Sequence, residues 1–81
     1  MKKFPYDDSF INEFKSFLLN DLELDVDLYL DDLVDYGSIQ VDFRELLDLI
    51  EINKIFLWLI NRVNGYSVLI DFVPYGFIIK F

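Results

Sequence analysis

The sequence predicts a single α+β domain. Three amino-terminal helices, one of them long and capped at Asp42, should pack on a carboxy-terminal β-hairpin, with room for a third short strand. Three observations carry that prediction. Apolar residues recur at three- to four-residue spacing near the start of the chain. A capping pattern precedes a long apolar stretch in the middle. Two runs rich in β-branched and aromatic residues flank a Pro-Tyr-Gly turn at the end. The 81 residues fit one domain spanning 1–81, and a chain this short buries roughly 60–65% of its unfolded surface.

The first helix is expected from about Tyr6 or Asp7 to Asn20. Pro5 precedes it, and Asp7, Asp8 and Ser9 are available as caps. Phe10, Phe14, Phe17 and Leu18 form its apolar stripe, with Ile11 and Leu22 beside them. From Asp21 to Leu28 acidic and apolar residues alternate strictly. Period two favours a strand, but aspartate is a poor strand former, so strand, loop and helix all stay open there. A short second helix fits Leu28 to Tyr36, capped by Asp27 and stopped by Gly37.

The third helix is expected to begin at Asp42. Asp42 and Glu45 match a capping box, and Val41 with Leu46 can form the hydrophobic staple across it. Gly65 suits the position just past the helix end, and Arg62 suits the negative end of the dipole. Within it, Ile55 to Ile60 is apolar all round, which requires cover on more than one side. Tyr66 to Phe72 and Phe77 to Phe81 then read as two strands around Val73-Pro74-Tyr75-Gly76, a turn suited to type I. Folding there pairs Phe72 with Phe77, Ile70 with Ile79 and Val68 with Phe81, and puts all six on the helix side. A lone ribbon is marginal, so a third strand should come from Ser38 to Val41, the acidic segment or another chain.

Composition narrows the function. The chain has no His and no Cys. That removes the usual general base, the commonest metal ligand and all thiol chemistry. Ser9, Ser16, Ser38 and Ser67 have no histidine to activate them, so no catalytic residue is assigned. Asp25-Val26-Asp27 opens like a calcium loop, but Tyr29 and Leu30 stand where a ligand and the glycine belong. No metal or cofactor is expected. A net charge of −8 argues against direct binding to nucleic acid or anionic membrane. Lys2 and Lys3 are followed by Asp7 and Asp8 rather than an apolar core, unlike a signal peptide; a cytoplasmic location is expected. Ala and Thr are absent while Phe, Ile, Asn and Lys abound. That bias suits AT-rich coding and a phage or mobile-element origin.

The expected function is therefore binding. Eight acids and no base lie between Lys15 and Arg44. Asp21, Glu23, Asp25, Asp27, Asp31, Asp32 and Asp35 are the candidate contacts to a basic protein surface, such as the groove of a nucleic-acid-binding protein. In a strand, carboxylates two residues apart lie roughly 6.5–7 Å apart, resembling phosphates along an extended nucleic-acid strand. The class is then a small inhibitor, immunity-type protein or charge mimic. The alternative is an assembly or adaptor domain, in which the acids only keep an apolar protein soluble. Phe56, Trp58 and Leu59 would then line the seam of a homodimer or hetero-complex.

Asp32-Leu33-Val34-Asp35-Tyr36-Gly37-Ser38-Ile39 partly resembles the segment around the modified serine of acyl and peptidyl carrier proteins, which are also small, acidic and helical. Their motif places Asp before that serine at the start of a helix; here Gly37 takes that place. The resemblance covers about a tenth of the chain, and the carboxy-terminal hairpin has no place in that four-helix fold. Ser38 is not assigned a phosphopantetheine arm.

Overall fold

The computed structural model describes residues 2–81. Helix α1 (Asp8–Ser16) starts at Asp7, whose carboxylate accepts from the Phe10 N–H at 2.8 Å. It continues through a π-helical turn, Phe17–Asp21, closed by the Leu22 N–H on the Phe17 carbonyl. Leu18, four residues after Phe14, stays on the face already holding Phe10, Ile11 and Phe14, all buried. Glu23 then takes a left-handed conformation (φ 53°), and the chain enters β1 (Val26–Tyr29).

The acidic alternation is thus a strand only over its second half. After β1 a turn leads to the short helix α2 (Leu33–Tyr36). This helix begins five residues later than expected, so Asp27 is not its cap. Asp31 and Asp32 precede it, where negative charge is tolerated, instead of lying in its second half. Gly37 does end it, at φ 61° with its N–H on the Leu33 carbonyl.

The largest correction concerns Asp42. Ser38–Phe43 forms strand β2, and Asp42 lies inside it, so no helix is capped there. Ile39, Val41 and Phe43 alternate with Gln40 and Asp42, and the sheet claims the apolar set. The staple is absent as well: Val41 is fully buried, whereas Leu46 is 99% exposed. The long helix, α3 (Leu49–Val63), starts at Asp48, whose Oδ1 accepts from the Glu51 N–H at 2.9 Å. Asp48 and Glu51 repeat the same D-x-x-E spacing six residues later.

The hairpin forms with the expected register. Strands β3 (Leu69–Val73) and β4 (Gly76–Lys80) pair Phe72 with Phe77 and Ile70 with Ile79. It belongs to a four-stranded antiparallel sheet in the order β1-β2-β4-β3. The fold class is α+β, with one long helix and short ones; the helices do not all precede the sheet, because β1 and β2 lie between them.

One parity of the strands faces the helices. Val26, Ile39, Val41, Phe77 and Ile79 meet Phe10, Phe14 and Leu18 of the first helix, and Ile55 and Leu59 of α3, in one core. Phe14, Leu18, Ile39, Ile55, Ile79 and Val41 are fully buried. Each such side chain contributes about 1.5–3 kcal/mol of transfer free energy. The other parity faces away from α1 and α3. Its register rows run Asp27–Asp42–Gly76, Tyr29–Gln40–Ile78–Asp71 and Ser38–Lys80–Leu69. Among the described residues, no helix is long and apolar enough to cross a membrane.

Candidate partner-binding face

Three segments bring carboxylates to this open face of the sheet. Alternation along β1 puts Asp27 on it, and β2 sets Asp42 directly opposite. Like charges in that position repel, and two neighbours reduce the cost. Gln40 donates to Asp42 Oδ1 at 2.9 Å. Arg44 extends the ladder by donating its backbone N–H to the Asp25 carbonyl at 3.0 Å. Its side chain folds back to bond Asp25 at 3.0 Å and both oxygens of Asp27. The hydrogen bond from Asp27, then the charges of Asp27 and Asp25, hold this guanidinium even more firmly protonated than an ordinary arginine.

Past the end of β1, Asp31 and Asp32 complete a concavity of about 350 Å³ whose walls include Tyr29, Gln40, Asp42 and Lys80. Lys80 Nζ is 3.2 Å from Asp71 Oδ2, diagonally across β3 and β4. Both cations of the face are thus already engaged with carboxylates. Six acids (Asp25, Asp27, Asp31, Asp32, Asp42 and Asp71) outnumber them. Among the described residues no three acidic side chains gather closely enough to hold a metal ion.

The seven acids singled out in the sequence do not form one row. Asp25, Asp27, Asp31 and Asp32 border the open face. Asp21 ends the π turn, and Glu23 sits in the bend after it. Asp35 lies in α2 beside a separate concavity near Tyr6 and Phe81. A regular carboxylate spacing along the chain can apply only to Asp25 and Asp27, and Arg44 bridges those two. Sequence reasoning missed Asp42, Gln40 and Lys80 as members of the site. The alternation from Ser38 to Phe43 was the signal for the first two.

The three candidate seam residues lie against the rest of the same chain. Leu59 is only 4% exposed. Trp58 stacks on Phe17 at 5.3 Å and carries the Arg62 guanidinium 4.7 Å above its ring. Phe56 meets Phe72 and Phe77 edge-on. The apolar residues of α3 that face solvent are Leu49, Ile50, Leu57 and Ile60. Ser38 opens a strand, not a helix, which removes the local geometry shared with carrier proteins.

No protein-family model, curated protein or solved structure matches this chain.

Proposed function

We propose that this protein is a non-catalytic binding module that docks the acidic open face of its sheet on a basic surface of another protein, in the manner of a small inhibitor. The observation that carries this reading is the concavity bordered by Asp31, Asp32 and Asp42 on the sheet face turned away from α1 and α3. A face meant only to hold the chain in solution needs dispersed charge of both signs. Here carboxylates from two segments, the turn after β1 and strand β2, border one recess, and the two nearby cations are held by other carboxylates. A cationic side chain entering the recess would meet unpaired acceptors. Such complementarity acts mainly on association rate and partner choice. The pairing of Asp25 and Asp27 with Arg44 shifts the centre of the interaction from the 21–27 segment toward Asp31, Asp32 and Asp42.

The test compares the immobilised wild-type protein with a variant carrying Asp31→Asn, Asp32→Asn and Asp42→Asn, each used to capture proteins from the source organism. A basic partner should be retained by the wild type at roughly 0.1 M salt and lost near 0.5 M, because the screening length falls by about half. The variant should not retain it at either salt. Equal retention by both proteins, or retention unaffected by salt, refutes the reading.

A further inference from the structure

The sheet has two edges of opposite character. On β1, Asp25 and Asp27 share a single cation, Arg44, and leave that edge net negative. On β3 the only ionised side chain is Asp71, and Lys80 neutralises it. Natural edge strands are usually guarded by unpaired charge, most often lysine, by proline or a bulge within the strand, or by a covering segment. Along the five residues Leu69–Val73 none of these is present. The neighbouring flank of α3 has no ionisable side chain either. Phe56, Leu59, Ile60 and Val63 join Val68 and Ile70 around a wholly apolar cleft of about 250 Å³. Leu69 is 64%, Phe72 67% and Ile60 58% exposed. In a chain of net charge −8, a second copy can approach this side with little repulsion, since its single acid is paired with Lys80.

Backbone geometry fixes how it would approach. Val73 and Gly76 enclose the two-residue turn and pair with each other, so they form a hydrogen-bonded pair. Alternation along an antiparallel ladder then points the N–H and C=O of Ile70 and Phe72 outward. A symmetric antiparallel partner can centre on Ile70, Asp71 or Phe72. Centring on Asp71 sets it against its own copy at the close, non-hydrogen-bonded spacing of about 4.5 Å. Centring on Phe72 opposes Ile70 to Pro74, which has no N–H to give. Centring on Ile70 pairs Ile70 with Ile70, Val68 with Phe72 and Leu69 with Asp71. Every outward polar group is met, and the helix-side residues are all apolar.

We propose that the protein forms a homodimer by β3–β3 pairing centred on Ile70, giving one continuous eight-stranded sheet. The two β1 edges then lie about 34 Å apart across seven strand spacings. That is several screening lengths at physiological salt, so the acidic regions do not oppose assembly.

Sedimentation velocity over a concentration series tests this, with amide exchange as a second readout. The wild type should approach twice 9.7 kDa at high micromolar concentration and stay associated near 0.5 M salt, where acidic docking fails. Phe72→Lys and Ile60→Lys should each weaken the dimer at least tenfold with unchanged circular dichroism. Leu46→Lys, on a different apolar region, should leave it intact. The Ile70 and Phe72 amides should exchange slowly in the dimer and fast after dilution; this readout needs no variant to fold. A wild type that remains at 9.7 kDa overturns the proposal. So does a dimer broken by Leu46→Lys alone, or unprotected Ile70 and Phe72 amides.

Discussion

Gly76→Ala should be among the most damaging single-methyl changes in this protein. Gly76 begins β4 on the open face, opposite Asp42 of β2. A Cβ built there lies 1.8 Å from the Val41 carbonyl oxygen, 2.9 Å from the Val41 carbonyl carbon and 3.1 Å from Asp42 Cα. All three atoms are backbone, so no rotamer change relieves the overlap. The two central strands must part at that end of the ladder. Losing about two hydrogen bonds costs about 1–3 kcal/mol, and residual overpacking adds about 1–3 kcal/mol. An 81-residue domain holds only about 4–12 kcal/mol in total. Even the lower figure of about 2 kcal/mol lowers the melting temperature by roughly 8–16 °C. The assay is thermal and urea unfolding followed by circular dichroism, with Gly65→Ala as the control. Gly65 has φ 86° and nothing within 4 Å of an added Cβ, so alanine there incurs only the backbone penalty of about 1–2 kcal/mol. If Gly76→Ala melts within 3 °C of the wild type, or no lower than Gly65→Ala, the steric reasoning about the β2–β4 contact is wrong.

Two further changes probe the elements that carry the faces. Asp48→Ala removes the cap of α3 and should cost about 0.5–2 kcal/mol, whereas Asp42→Ala leaves α3 intact; urea midpoints of the two variants decide between the two D-x-x-E boxes. Tyr6→Phe deletes the hydroxyl that donates to the Leu33 carbonyl at 2.8 Å and so ties the amino terminus to α2. It should cost about 1 kcal/mol and speed amide exchange of Tyr36 and Gly37, while the Ile39 amide in β2 keeps its protection.

Local signals were legible where one period dominated. The stripe from Phe10 to Leu18 defined the first helix, Pro74 and Gly76 set the hairpin register, and Gly37 marked the end of α2. The reading failed where two signals overlapped. Phe43, Leu46, Leu47 and Ile50 fit a helical face, and Ile39, Val41 and Phe43 fit a strand. The strand prevailed because β4 offers Val41 a partner in Phe77, a contact between residues remote in sequence. In the sequence, Arg44 bounds the acidic block and fits the polar side of a helix. Its pairing with Asp25 and Asp27 depends on the β1–β2 register, which the ambiguous 21–28 stretch does not specify. The recess needed still more, since Lys80 reaches it only because β4 inserts between β2 and β3.

The strand order also connects the two proposed binding surfaces. Because β2 and β4 are central, the acidic segment and the apolar hairpin end on opposite edges of the same sheet, and each can be occupied without blocking the other. A two-fold axis normal to the sheet at Ile70 would leave both open faces on the same side of the assembly. The dimer would then present two acidic recesses in one surface, each well beyond the electrostatic range of its copy. A partner with paired basic sites would gain from simultaneous engagement by effective concentration alone. Phe72→Lys would remove that gain while leaving each recess intact. The neutralised Asp31, Asp32 and Asp42 variant would do the reverse, remaining dimeric but unable to dock.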